Sequence, residues 1–221
     1  MYRNFIFDWS GTLVDDLGPV IEATNGVLEN YGIAPMDRES FRRRFRLPYR
    51  DFYAELLPGV PLEILEAHFR QAFAAAVTPV TVLPYAREKL EWCRAAGMRA
   101  FVLTSMDAAA FALQLEAFGW GHHFEATYAG VLDKREVIHR ILATHGLAPD
   151  ETVFIGDMTH DMETARHGGI GSIAVLTGYN HLEVLAAACP DLIVPDLGAL
   201  LNWLGARHAA APPPSQAAVP S

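Results

Sequence analysis

Asp8 ends the short apolar run Asn4-Phe5-Ile6-Phe7 and opens the loop Trp9-Ser10-Gly11-Thr12. Similar polar clusters follow two later apolar runs: Thr104 and Ser105 after Arg99–Leu103, and Asp157 and Asp161 after Thr152–Ile155. Lys134 begins a helical stretch beyond a weak strand pattern at Phe124–Tyr128. Ligands of open parallel sheets bind outside the carboxyl ends of the strands, so these groups are expected to share one crevice. Carboxylate oxygens suit Mg²⁺, which takes near-octahedral oxygen ligation and keeps several waters; Asp8 and Asp157 are the natural pair. A hydroxyl beside a backbone N–H, as at Thr104 or Ser105, donates to phosphate oxygens. Lys134 adds positive charge where an attacked phosphoryl group gathers negative charge. With that charge balanced, a carboxylate can act as nucleophile and form an aspartyl-phosphate. These residue types indicate Mg²⁺-dependent phosphoryl transfer with Asp8 as the nucleophile.

The elements that must position these groups follow from periodicity. Asn4–Phe7 reads as a buried parallel strand. Apolar residues at helical spacing (Val20, Ala23, Val27, Leu28, Tyr31) predict a helix from Asp16, stopped by Gly32. Further helices are expected over 37–46 with Asp37 as cap, from Pro48 to Leu57, and from Pro61 to Ala76. No strand pattern interrupts residues 16–78, which therefore read as an all-helical insertion. Strand and helix then alternate: helix 86–96, strand 99–103, a helix to Phe118, the weak strand, helix 134–145, strand 152–155, helix 161–167, strand 173–176, helix 182–188, strand 192–194 and a helix to Gly205. Such alternation implies an α/β fold, a doubly wound parallel sheet covered on both faces. The expected organisation is a Rossmann-like core over 1–15 and 79–206, a small helical cap over 16–78, and a disordered Ala/Pro-rich tail over 207–221.

Composition narrows the function classes. The 221 residues carry a formal charge of −9, with 26 acidic against 17 basic residues. That charge repels nucleic-acid backbones, so no nucleic-acid partner is expected. No apolar run approaches the length of a membrane span, and no basic, then apolar, leader opens the chain; a cytoplasmic protein without a membrane partner is expected. Cys93 and Cys189 form no CxxC and no disulfide framework. The expected partner is a small phosphorylated metabolite, and the protein is read as a monomer or homodimer.

Taken together, the motifs resemble the haloacid dehalogenase superfamily, in its subclass with a helical cap inserted after the first strand. Asp8-Trp9-Ser10-Gly11-Thr12-Leu13-Val14 is similar to that family's first motif, Leu103-Thr104-Ser105 to the second, Lys134 to the third, and Gly156-Asp157-Met158-Thr159-His160-Asp161 to the fourth. The resemblance spans about residues 3 to 205. It implies that Asp8 is nucleophile and metal ligand, and that the Ser10 backbone carbonyl is a second ligand. It further implies that Thr104, with Ser105, holds the phosphoryl group and that Lys134 balances charge. Asp157 would bind Mg²⁺, Asp161 would support the metal shell or Lys134, and Thr12 would shape the loop. The implied activity is hydrolysis of a small phosphomonoester, with phosphoglycolate-like or sugar phosphates as candidate classes.

Ser10 departs from the resemblance. Most phosphatases of the family carry there a second aspartate that protonates the leaving oxygen and then deprotonates the attacking water. General acid–base catalysis is worth about 10²–10⁴-fold, so an unreplaced aspartate implies slow turnover. That leaves two alternatives open: a phosphotransferase or mutase, or a phosphate-binding protein with little turnover. Phosphonoacetaldehyde hydrolases lack the second aspartate but need a cap lysine, and residues 16–78 contain none. The 2-haloacid dehalogenases lack an equivalent of Asp157, and the P-type pumps need membrane spans. Candidate substitutes for the acid/base are Asp15 and Asp16, whose ordinary reading is helix N-capping, and His160, otherwise a solvated loop residue. Five arginines, Arg42, Arg43, Arg44, Arg46 and Arg50, mark a solvated helix face; the alternative is that Arg46 or Arg50 reaches a substrate carboxylate or second phosphate.

Overall fold

The computed structural model describes residues 2–210, with side chains to residue 206. Among the described residues, eight strands and ten α-helices follow one another along the chain, with three short 3₁₀ turns between them. Strand β1 (Asn4–Phe7) leads into the short β2 (Val14–Asp15) and four helices, α1 (Leu17–Glu29), α2 (Arg38–Arg44), α3 (Tyr49–Leu56) and α4 (Leu62–Ala75). Strand β3 (Thr81–Val82) precedes α5 (Ala86–Ala95), β4 (Arg99–Leu103), α6 (Ala108–Phe118) and β5 (Ala126–Tyr128). The chain closes with α7 (Ile138–His145), β6 (Thr152–Gly156), α8 (Thr159–Gly168), β7 (Gly171–Val175), α9 (Leu182–Ala187), β8 (Leu192–Val194) and α10 (Leu197–Ala210).

Six strands form one parallel sheet in the order β5-β4-β1-β6-β7-β8. The chain starts in the middle, runs out one way through β4 and β5, then returns to build the other half. Its switch point lies at β1, where helices leave on opposite faces and a crevice opens. All four residues of β1 are buried, because the sheet is covered on both sides. Phe5 and Phe7 face Leu90, Phe111 and Leu200 on one side. Ile6 faces Ile138, Ile141 and Ala165 on the other.

Register sets the height of the polar groups. Phe7 pairs with Val102 and with Ile155, so Asp8, Thr104 and Asp157 emerge together at the carboxyl edge. Trp9 anchors the loop beyond Asp8. Its buried ring lies 4.8 Å from Phe111 and 5.7 Å from Trp120, both edge-on, and its Nε1 donates to Gln114 at 2.7 Å. Gly11 has φ +75°, and a β-carbon there would strike the Asp157 carboxylate. Only glycine lets this loop pass so close to the acid.

Helices α1–α4 gather their own apolar cluster around Leu17, Val27, Phe41, Phe52 and Leu65, to which Met158 and Tyr179 are added from the sheet's carboxyl edge. These helices therefore lie over the crevice. The two connections into and out of them pair as an antiparallel ribbon, β2 with β3. That ribbon is too short to show a period-2 pattern and was not expected from sequence. Lys134 starts a 3₁₀ turn, with the regular helix delayed to Ile138. Helix α8 begins two residues before the expected Asp161, because the Asp161 carboxylate reaches back to accept from Met158 N. Helix α10 continues past Arg207 to Ala210, into the stretch expected to be tail; residues 211–221 of that tail lie outside the described residues.

Trp9→Ala is expected to cost about 3–5 kcal/mol, the usual range for truncating a buried large aromatic. Urea unfolding checks this, and a loss under 1 kcal/mol would show that Trp9 does not anchor the loop.

Candidate active site

The crevice holds a compact, fully buried charge cluster. Lys134 Nζ donates to Asp8 Oδ1 and to Asp161 Oδ1, both at 2.7 Å. Asp157 accepts from Thr12 Oγ1 at 3.1 Å and from Tyr179 N at 2.6 Å. Oxygens of Asp8, Asp157 and Asp161 all lie within 4.8 Å of one another, close enough for one cation to bridge them. Three carboxylates against one ammonium leave the cluster short of positive charge, and its all-oxygen donor set suits a hard cation.

The electrostatics follow from that imbalance. Burial raises the Asp8 carboxyl to about 6, against the opposing pull of Lys134. Burial raises Asp157 well above the usual carboxylate range, and the neighbouring Asp8 and Asp161 push it further. Burial alone would lower the Lys134 ammonium, yet Asp161 and Asp8 outweigh it and keep the amine protonated. Lys134 is also fixed through its backbone, since its N–H donates to His160 Nε2 at 3.1 Å. Burial and the nearby Lys134 push His160 down to about 4, so its imidazole is neutral. The histidine is a buried positioning group here, not a solvated loop residue.

Above the cluster lies a cavity of about 620 Å³. Asp8, Ser10, Thr104 and Ser105 line one end of it. Ser105 Oγ is buried without a hydrogen-bond partner, an orphaned donor at the place where phosphate oxygens would need one. Thr104 Oγ1 accepts from Met106 N at 3.2 Å, which holds the start of that loop.

Asp15 and Asp16 part company. Asp15 accepts from Leu17 N at the head of α1. Asp16 stands at the N-cap position but makes no capping bond. Its buried carboxylate instead accepts from Ser10 Oγ at 2.5 Å and from Tyr179 Oη at 2.9 Å, and it lines the cavity. Burial raises it to about 7, partly offset by those two hydrogen bonds. One cap suffices for one helix, so the doubled aspartate was the available signal in the sequence. Tyr179 carried no such signal.

Arg46 and Arg50 do not join the site. Arg46 pairs with Glu55 at 2.7 Å and Arg50 with Asp51 at 3.5 Å, both on the surface. Acidic partners on α3 hold them there, and neither lines the cavity. Arg42 donates to the backbone oxygens of Tyr179 and Asn180, tying α2 to the loop that carries Tyr179. The arginine that lines the cavity is Arg70 on α4.

Comparison with known proteins agrees with this geometry. The family model for haloacid dehalogenase-like hydrolases matches residues 5–175. A phosphoglycolate phosphatase of Synechococcus elongatus is 28% identical over 86% of this chain and 91% of its own. A 5'-nucleotidase of Pseudomonas aeruginosa is also 28% identical, over 92% of this chain and 96% of its own. The structure of a haloacid dehalogenase-like hydrolase from Streptococcus pneumoniae superposes with a TM-score of 0.81 at 24% identity, covering 92% of this chain and 98% of that one. With the matching segment running from β1 through β7 and the same fold in solved relatives, the chain belongs to the haloacid dehalogenase-like hydrolase family.

Proposed function

We propose that this hydrolase is a Mg²⁺-dependent phosphatase of small phosphomonoesters that works through an aspartyl-phosphate on Asp8, with α1–α4 serving as its cap. The observation that carries the reading is the ion pair of Lys134 with Asp8 and Asp161, set beside Asp157 at the carboxyl edge of β1 and β6. The phosphatase relatives support it, since their names describe hydrolysis of small phosphate esters.

Asp8 and Asp157 would hold the metal together with the Ser10 backbone carbonyl. Asp161 already accepts from Lys134 and Met158, so its part is to position Lys134. When bound, Mg²⁺ supplies Lewis-acid polarisation of the phosphoryl oxygens. The hydroxyls of Ser105 and Thr104 would bind those oxygens, and Lys134 would keep Asp8 ionised and oriented. Asp8 attacks phosphorus, the bond to the leaving oxygen breaks, and that oxygen takes up a proton. Water then attacks phosphorus, the bond to Asp8 breaks, and the water gives up its proton.

The group that gives and then takes this proton is, in our reading, the Ser10–Asp16 pair. Asp16 lines the cavity beside Asp8, is hydrogen-bonded to Ser10, and sits at about 7, near the ideal for an acid–base catalyst in neutral solution. This supports hydrolysis over the two alternatives that an isolated Ser10 would favour.

Phosphate release from a panel of phosphomonoesters tests the reading. Release should require Mg²⁺, stop with chelator, and fall at least ~10³-fold in Asp8→Asn, as for loss of a nucleophile; release that ignores either change would sink it. Asp16→Asn should lower kcat by about 10²–10⁴-fold, the range for a lost acid–base group, without lowering the thermal midpoint. The double exchange Ser10→Asp with Asp16→Ser should recover activity to within about tenfold of the parent, leaving only a small part of that acid–base loss. A parent-like kcat in Asp16→Asn would remove Asp16 from the chemistry.

A stability measurement addresses the metal. In metal-free protein Asp8 and Asp16 keep their protons to about 6 and about 7, against 3.8 in an unfolded chain. Between those values the folded state binds more protons than the unfolded one, so stability falls as pH rises through the window. Mg²⁺ binds the ionised carboxylates, so it should raise the thermal midpoint more at pH 8 than at pH 5. An equal rise at both would place the cation elsewhere.

A further inference from the structure

We propose that the leaving alcohol of the substrate carries a large apolar, ring-bearing group, and that a compact phosphomonoester with a second anionic group, such as phosphoglycolate, is a poor substrate. The proposal rests on the phosphatase reading and concerns the space beyond the phosphoryl end of the cavity. At about 620 Å³ the cavity belongs to the size class that encloses drug-sized ligands. A two-carbon leaving group would fill little of it.

Chemistry points the same way as volume. Beyond Asp8, Ser10, Thr104 and Ser105, the walls are built largely from Phe45, Tyr53, Phe69 and Phe73 on the cap side and Met106 and Leu113 on the sheet side. Aromatic walls offer faces and edges to a planar ring. Leu113 is 69% exposed on α6, an apolar side chain left to water until an apolar ligand covers it.

Charge argues against a second anionic group. A compact phosphomonoester that also bears a carboxylate needs a cation for that carboxylate. Among the described residues Arg70 is the cation that lines this cavity, and it lies 4.0 Å from Glu66, which also accepts from Tyr49 Oη. Glu66 and Asp107 line the same space, so two acids face one arginine beyond the phosphoryl end. A distal carboxylate meets net negative charge, whereas an apolar body meets apolar walls.

Steady-state kinetics with Mg²⁺ on ethyl, hexyl and 3-phenylpropyl phosphate and on phosphoglycolate test this. Each buried methylene should raise kcat/KM about fourfold. Hexyl and phenylpropyl phosphate should then exceed ethyl phosphate by about 10²-fold, with phosphoglycolate no better than ethyl phosphate. Ala74→Phe, which narrows the apolar end from the exposed face of α4, should lower the phenylpropyl-to-ethyl ratio at least tenfold. Rates independent of chain length, or a preference for phosphoglycolate, would overturn the substrate class and leave the phosphatase reading standing. No Mg²⁺-dependent release from any of the four would overturn both.

Discussion

The structure depends on one buried ammonium. Lys134 is wholly inside the protein and touches two carboxylates, while a third, Asp157, lies in the same cluster. Removing such ions from water costs several kcal/mol each even after relaxation. The cost is met only where every partner sits at hydrogen-bond distance. That demand explains the surrounding detail: Lys134 N bonded to His160, Asp161 bonded to Met158 N, Asp157 held by Thr12 and Tyr179, and Gly11 pressed against Asp157. In the proposed function, this remaining shortage of positive charge is what a cation bound beside Asp8 and Asp157 would meet.

Sheet and cap divide the remaining work. The parallel register of β1, β4 and β6 fixes the heights of Asp8, Thr104 and Asp157 to within a residue. Helices α1–α4 contribute no group to the charge cluster, yet they supply most of the apolar wall above it. Asp16 belongs to both. It follows the β2 connection, stands at the head of α1, and reaches back to Ser10 in the loop after Asp8. Tyr179 completes the link from the opposite side, bonded to Asp16 through its hydroxyl and to Asp157 through its N–H.

The charge cluster was legible in the sequence because each member ends an apolar run or starts a helix, and strand ends in a parallel sheet converge. What was not legible depends on the rotation of side chains around short elements. Asp15 and Asp16 are equivalent in the sequence, each a candidate acid/base or a helix cap, and only the fold separates them. Arg46 and Arg50 keep to the solvated face that the arginine cluster marks, Arg50 beside its sequence neighbour Asp51 and Arg46 on Glu55, nine residues on. Arg70 could have been found: Glu66, Phe69, Arg70 and Phe73 recur at helical spacing and all line the cavity, one face of α4 presented to the site. The β2–β3 ribbon, two residues on each side, is below the length at which alternation can be read. For the departure at Ser10 the sequence offers three candidate replacements, Asp15, Asp16 and His160, and the fold brings Asp16 to Ser10.

In the proposed reaction the phosphoryl group passes through Asp8. Rapid acid quench during turnover with Mg²⁺, followed by mass analysis of the proteolysed chain, tests it most directly. The account predicts one phosphoryl mass on the peptide containing Asp8, lost on treatment with hydroxylamine as an acyl phosphate must be. Phosphate released steadily with no such adduct in the quenched chain, or an adduct on another residue, would contradict it.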